Sequence, residues 1–496
     1  MVHKLKSTYS DYVLFPCLVL FTASFPLPAA YNSIFTILLF ISFLAGIKNL
    51  KNNVTSYFLN IRNILLLLIF FTLLISVAYS EDKKVAMKGI LVALPLLSIP
   101  LSLTAITNLS LKQIDILKKI FVFSCFITSL VYLITAFIRS GLIDGSYKLH
   151  ATPENYLSYL IPKLTYHHLS PSIHAVFFSL YIALALFFII FEFNKKSIYQ
   201  KILLSLLALY FLVFLFLLTS ATINFGLYSF LAGYTFSRFS FKKLYHYLFF
   251  FGLILFGTSV TGYLVIVKYI GPDLGDITYR FQTPSINEKF LFAHIVIMLV
   301  GAVTIIIKLM ARKNYAVILV GSFLLIGLVA LIYLKKIADN KNNSDWKINN
   351  VTVRVNYGAK AFRIIKKHPF VGVGIGDKKY KLIERDSIPG VNPYIEFGAE
   401  TKPDDVFNPH NQFLDFWIDA GIIPVICLLL FFINEFSKAL RHKHIPYLGL
   451  LFCFFLFCIT DKALMVQRGQ IFFLFFICLF EIELERKKDR TNLGLQ

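Results

Sequence analysis

Arg62–Tyr79 reads RNILLLLIFFTLLISVAY, a run in which Arg62 is the only charged residue. A helix needs about 20 mainly apolar residues to cross a bilayer, and runs of similar length recur along the chain. The chain has 496 residues, of which 57% are hydrophobic and 15% charged, with a mean hydropathy of +0.71. Because a soluble protein of this length would carry far more charge, the sequence predicts an all-α polytopic membrane protein.

The apolar runs predict about 12–14 transmembrane helices, since one run is short and prolines interrupt the first pair. These runs divide the chain into a transmembrane bundle at 1–334, a large polar loop at 335–418, and further helices with a short tail at 419–496. The predicted spans lie at about 11–27, 30–47, 62–79, 87–107, 118–138, 172–193, 200–219, 222–236, 246–267, 290–308, 315–334, 419–437, 446–460 and 469–483.

The net charge of +22 is explained by membrane orientation, and no nucleic-acid partner is expected. With the N-terminus in the cytoplasm, the connections on that side hold about twice as many Lys and Arg residues as the short external loops. The C-terminal ERKKDR sequence adds to the cytoplasmic side. The sequence therefore predicts that both termini are cytoplasmic and that the loop at 335–418 faces outward.

That loop contains a predicted helix followed by a glycine-rich turn. Apolar residues at helical spacing run from Val351 to Ile365, with Arg354 one step from the stripe, and His368–Pro369 ends the pattern. The VGVGIGD sequence that follows predicts a tight turn. A dinucleotide-binding loop is the alternative, but it requires a strand before the glycines and a helix after them, and the sequence predicts neither.

The end of the loop reads FNPHNQFLDFWIDAGIIP from Phe407 to Pro424. His410 and Asn411 stand where a polar segment meets an apolar helix at the bilayer surface. A neutral imidazole accepts a proton near neutral pH, so His410 is a candidate base or hydroxyl-orienting group.

In these features the sequence resembles the O-antigen ligase and polymerase family of bacterial envelope glycosyltransferases. The resemblance rests on the arginine-bearing helix, on HPFVGVGIGD (His368–Asp377) and on PHNQFLDFWIDAGIIP (Pro409–Pro424). TYHHLSPS (Thr165–Ser172) and QRGQIFF (Gln467–Phe473) are also similar to segments of family members.

The resemblance implies a fold similar to membrane glycosyltransferases of the C type, in the bacterial inner membrane. It implies transfer of a glycan, with inversion, from an undecaprenyl-pyrophosphate-linked donor to an acceptor sugar such as lipid A–core at the periplasmic face. No metal or other cofactor is implied, and the sequence has no Asp-x-Asp pair for a divalent ion. The resemblance implies catalytic roles for His410, which would activate or orient the acceptor hydroxyl, and for Arg354, which would contact the pyrophosphate.

The sequence departs from the family at a mid-chain position. Many members have a Ser-Arg pair there, and this chain has Ser220 and Ala221. Arg280 and Arg468 lie in external segments of the predicted topology and are the candidates for the missing cation. Further candidates for binding the substrate are Asn411 and His168.

Three other functions remain open from the sequence. A repeat-unit polymerase of the same family shares these loop motifs. A flippase for lipid-linked oligosaccharide would have a similar helix count, but transporters usually show two related halves, and none is evident. A scaffolding membrane protein would give no reason for the order of arginine, glycine turn and histidine in the loop.

Overall fold

The structure is a computed structural model that describes residues 14–45, 55, 57–104, 109–141, 164–193, 197–238, 358, 361–378 and 409–492. These residues form helices and turns and contain no strand, which confirms the all-α prediction. The predicted spans at 246–267, 290–308 and 315–334 lie outside the described residues. Most of the predicted loop at 335–418 also lies outside them.

The helices are numbered in chain order. They are α1 (Phe15–Ser24), α2 (Ala29–Ala45), α3 (Ile61–Tyr79), α4 (Lys83–Ala93), α5 (Pro95–Thr104), α6 (Leu111–Arg139), α7 (Tyr166–Leu169), α8 (Ala175–Phe191), α9 (Ile198–Leu218), α10 (Ala221–Arg238), α11 (Gln412–Ala420), α12 (Ile422–Arg441), α13 (Ile445–Thr460) and α14 (Gln467–Asn492).

Five helical segments among the described residues are long and apolar enough to cross a bilayer. They are α3, Lys83–Leu103, α6, α9 and α12. Shorter apolar helices occur at α1, α2, α8 and α13. Together these segments confirm a polytopic helical membrane protein.

Two predicted spans have different boundaries in the structure. The span at 87–107 falls on two consecutive helices, α4 and α5, and Pro95 begins the second, where its missing N–H costs nothing. The span predicted at 419–437 begins only at Ile422, because Gly421 separates α12 from the short helix α11. Hydropathy alone does not detect this break, since both sides of Gly421 are apolar.

The described helices form two compact units. The first takes its described residues from Met1–Ser124, Val353–Phe436 and Phe454–Gln496. The second takes them from Cys125–Thr352 and Ser437–Cys453.

Phenylalanines form the core of the first unit where α1, α6 and α14 meet. The Phe25 ring lies 5.6 Å from that of Phe472 and 5.3 Å from that of Phe475, measured between centroids. The Phe121 ring lies 4.8 Å from that of Phe476 in an edge-to-face arrangement. Such arrangements are favourable for aromatic rings, and helix α5 packs along α14 beside them.

The two ends of the first unit differ in chemistry. At one end, Arg62 of α3 forms a buried salt bridge with Glu481 of α14, and Lys118 Nζ lies 2.5 Å from Glu483 Oε2. Helix α3 extends about 27 Å from there at 1.5 Å per residue. Helix α14 begins at Gln467, several turns before Glu481. The end of α3 and the start of α14 therefore lie at the end of the unit opposite these salt bridges.

The second unit is built around α8, whose side chains are almost all buried. Helices α9 and α10 pack against it. Helix α9 exposes one apolar face, which includes Leu203, Leu206 and Val213, as expected of a helix in contact with lipid. At the end of α8, Glu192 Oε1 lies 3.3 Å from Nε2 of the buried His444.

Candidate functional site

His410 immediately precedes the cap of α11 and has a left-handed backbone with φ of 48°. This conformation is uncommon for a residue other than glycine, and such residues cluster at functional sites. The imidazole Nδ1 lies 3.4 Å from Asp461 Oδ1, in the turn between α13 and α14. The side chains are 28% and 24% exposed, so the pair lies at the surface of the first unit and is accessible.

Asn411 is the N-cap of α11 and fixes the backbone next to His410. Its Oδ1 accepts hydrogen bonds from the N–H groups of Phe413 and Leu414, both at 3.0 Å. Its Nδ2 donates to the Ile459 carbonyl at 2.9 Å. Asparagine is a preferred N-cap residue, and these bonds give Asn411 a structural role. Its predicted contact with substrate stays a prediction.

Gln412 connects α11 to the same turn. The side chain is fully buried, and its Oε1 accepts from the Leu464 N–H at 2.7 Å and from the Met465 N–H at 3.2 Å. Gln470 of α14 donates to the Leu464 carbonyl from the other side. The turn that carries Asp461 is therefore held by buried amides, which keeps it beside His410.

The glycine-rich segment forms the predicted tight turn, with φ of 73° at Gly372 and 103° at Gly374. The preceding helical segment ends at Lys367, as predicted. Each backbone N–H from residue 372 to residue 377 already donates within the protein. The acceptors are, in order, the carbonyls of His368, Ile418 and Asp419, the hydroxyls of Ser76 and Ser80, and the carbonyl of Gly374.

These hydrogen bonds decide between the two sequence-based interpretations of the glycines. A phosphate-binding loop presents its backbone N–H groups to the ligand, whereas here they hold the turn against α3 and α11. An added Cβ at Gly374 would lie 2.9 Å from Ser80 Cα, so the glycine permits close packing. The turn is therefore a structural connector.

Two side chains fasten the turn to its neighbours. The Trp417 Nε1 group of α11 donates to the Pro369 carbonyl at 2.8 Å. The buried Asp377 carboxylate accepts from the N–H groups of Glu81 and Asp82, at 2.7 and 3.0 Å. These N–H groups stand just before α4, where a negative charge is favourable.

Lys378 bridges the turn to α11. Its Nζ lies 2.5 Å from Asp415 Oδ1 and 2.9 Å from Asp419 Oδ2, and both carboxylates are fully buried. Burial raises the pKa of Asp419 to about 7, with Lys378 opposing the rise and Asp415 adding to it. Burial alone would lower the pKa of Lys378, but the two carboxylates outweigh it and raise that pKa above its usual value.

Arg468, at the start of α14, is buried in the first unit. Its Nη2 donates to the Leu27 carbonyl, in the turn between α1 and α2, at 3.1 Å. The neighbouring Gln467 accepts from Ser33 of α2 at 3.3 Å. These contacts give Arg468 a structural role at the turn between α1 and α2, and its predicted contact with substrate stays a prediction.

The predicted site residues His410 and Asn411 contact the end of α13 and the turn after it, through Ile459 and Asp461. Arg468 follows the same turn, at the start of α14. His168 lies on α7 in the second unit and is exposed. Arg354 and Arg280 lie outside the described residues, so their roles stay predictions.

Asp461 and the buried group formed by Lys378, Asp415 and Asp419 were not predicted from the sequence. Asp461 directly follows the apolar run at 446–460. A carboxylate at the end of a membrane segment often marks a functional site, so its position could have identified it as a candidate. Asp415 and Asp419 are four residues apart within FLDFWIDAG, which places them on one face of a helix. Nothing in the sequence links that face to Lys378.

The fold defines the class: a multi-pass helical membrane protein with a surface histidine–carboxylate pair. Residues 292–429 match the family model described as O-antigen ligase, and this match supports that family for the chain. The matched segment contains Arg354, the glycine turn and His410, which are the main features of the resemblance. No curated protein matches the chain significantly.

Proposed function

We propose that the protein is a membrane glycosyltransferase of the O-antigen ligase type. It would move a glycan from undecaprenyl pyrophosphate to an acceptor sugar of lipid A–core, at the periplasmic face of the bacterial inner membrane. The observation that carries the proposal is the His410–Asp461 pair, whose histidine lies in the segment that matches the O-antigen ligase family model.

The pair supports a role for His410 as the base. A carboxylate accepts hydrogen bonds, so Asp461 favours the tautomer with the proton on Nδ1 and the lone pair on Nε2. Nε2 then takes the proton of the acceptor hydroxyl as its oxygen attacks the anomeric carbon and the bond to the pyrophosphate oxygen breaks. Attack from the face opposite the leaving group inverts the configuration at the anomeric carbon.

The leaving pyrophosphate gains negative charge in this step, and the proposal assigns its stabilisation to arginines. A guanidinium stays charged and binds phosphate oxygens in a bidentate manner. Arg354 is the first of these residues, and either Arg280 or Arg468 is the second. In this scheme the arginines supply the positive charge, and no metal ion takes part.

The arginine assignments predict distinct results for three substitutions. We expect Arg354→Ala to reduce transfer about 100-fold or more, the usual effect of removing a group that stabilises transition-state charge. Only one of Arg280→Ala and Arg468→Ala should have an effect of that size on the rate per folded molecule. The measurement is the initial rate of transfer from purified undecaprenyl-pyrophosphate-linked glycan to lipid A–core.

Lysine replacements and protein levels provide the controls. Arg468→Ala also removes the bond to the Leu27 carbonyl, so its rate must be divided by the amount of folded protein. Arg→Lys at each position keeps the charge and loses the bidentate geometry, so it should recover only part of the rate. Full activity of Arg354→Ala would remove that residue from the scheme.

A polymerase of the same family is the second candidate, because the matched family model and the loop motifs do not distinguish the two acceptors. Deletion in the native bacterium separates them by the glycans that remain at the surface. For a ligase, we expect long glycan chains to disappear from lipid A–core and to accumulate on the undecaprenyl carrier.

Other outcomes of the deletion have equally definite meanings. Lipid A–core capped with single repeat units would identify a polymerase. Loss of surface glycan together with donor retained on the cytoplasmic face would contradict both enzyme proposals and favour a flippase. Complementation with the wild-type chain must restore the original glycans.

A further inference from the structure

Lys378 joins two parts of the first unit that are distant in sequence. It directly follows Asp377, which fastens the glycine turn in front of α4. Its side chain is 19% exposed and makes ion pairs with Asp415 and Asp419, 37 and 41 residues further along the chain. Lys378 therefore connects the turn to one face of α11.

The two carboxylates depend on this lysine. Both are fully buried, and Asp415 Oδ2 and Asp419 Oδ1 have no hydrogen-bond partner among the described residues. Like charges one helical turn apart repel each other, and burial increases the repulsion. An ammonium group between them offsets the negative charge of both carboxylates, which a neutral side chain cannot do.

The ion pairs also constrain α11 in a way that its backbone bonds do not. The Val373 and Gly374 N–H groups hold the carbonyls of Ile418 and Asp419, at the last turn of the helix. Lys378 contacts side chains on two successive turns of one face. Two contacts one turn apart fix the rotation of a helix about its axis.

The rotation of α11 sets the position of His410. The helix has only nine residues, and His410 lies just before its N-cap. At that end, Asn411 and Gln412 connect the helix to Ile459 and Leu464. A change of rotation at the other end would therefore move the imidazole relative to Asp461.

We propose that Lys378 is a positioning residue, whose ion pairs with Asp415 and Asp419 set the rotation of α11 and thereby hold His410 beside Asp461. This inference rests on the proposed function where it concerns catalysis. Its structural part concerns only the order of residues 409–421 and is testable without a substrate.

The test uses the full-length protein in detergent with Lys378→Met, Lys378→Arg and the charge-neutral triple variant Lys378→Met/Asp415→Asn/Asp419→Asn. We expect kcat for transfer to fall 10- to 100-fold in the first and third, the order caused by misplacing a reacting group by about 1 Å. KM should change little, and Lys378→Arg should recover most of kcat. Hydrogen exchange of residues 409–421 should accelerate in the two impaired variants.

Lys119→Met provides the matched control. Lys119 is an exposed lysine of the same unit, and its Nζ lies 2.6 Å from Asp115 Oδ2. Its replacement should change neither kcat nor the exchange of residues 409–421. A change in this control as large as that of Lys378→Met would mean that any lost ion pair produces the effect, which would overturn the proposal.

The triple variant separates positioning from simple charge compensation. If it restores both kcat and slow exchange, the lysine serves only to neutralise the carboxylates, and the proposal is wrong. Unchanged kcat and exchange in Lys378→Met would also overturn it. If His410→Asn keeps full activity, the proposed function of the site fails instead, and hydrogen exchange alone then decides the role of Lys378.

Discussion

Replacing His410 with asparagine is expected to reduce glycan transfer at least about 100-fold while the amount of folded protein stays the same. General bases typically contribute 10²- to 10⁴-fold to a rate. Asparagine has no ring nitrogen that can accept a proton, yet it tolerates the left-handed backbone of this position, φ 48°, better than most residues. The measurement is the initial transfer rate with purified lipid-linked glycan and lipid A–core.

Two companion substitutions make the result specific. Asp461→Asn removes the carboxylate beside Nδ1 and should lower the rate less than loss of the imidazole does, because the base itself remains. His442→Asn alters an exposed histidine in the turn between α12 and α13 and should leave the rate unchanged. A fully active His410→Asn protein would show that another group accepts the proton.

Replacing Gly421 with alanine is expected to destabilise the first unit by more than about 4 kcal/mol, enough to prevent accumulation of folded protein. Gly421 has φ of 80° and ψ of −163°, a region open almost only to glycine. An added Cβ would also overlap the Phe370 carbonyl and lie 2.6 Å from the Val371 nitrogen. Accumulation in membranes and thermal unfolding in detergent measure the effect.

Gly358→Ala is the matched control for this substitution. Gly358 is helical, and an added Cβ there would have no atom within 4 Å. Alanine is the better helix former by about 1 kcal/mol, so this variant should be as stable as the wild type or slightly more stable. Normal accumulation of Gly421→Ala would mean that the glycine turn and α11 can separate without cost.

Features that a local pattern determines could be predicted from the sequence. The apolar run at Arg62–Tyr79 forms α3, the loop helix ends before His368–Pro369, and the glycines form a tight turn. The position of His410 just before a helix also followed from local sequence. Each of these features depends on neighbouring residues alone.

Contacts between distant segments were beyond sequence reasoning. Asp461 meets His410 from 51 residues away, and Lys378 meets Asp415 and Asp419 from 37 and 41 residues away. The break at Gly421 also escaped detection, because a glycine inside an apolar run is common in membrane helices. A single sequence does not record which polar residues will face each other after folding.

The buried salt bridges at the far end of the first unit bear on the order in which the chain can be completed. Lys118 precedes Glu483 by 365 residues, and Arg62 also pairs with the last helix, through Glu481. During synthesis both cations therefore exist without these counter-charges until α14 has been made. The two salt bridges can therefore form only after α14 has been made, so they are among the last contacts to close the first unit.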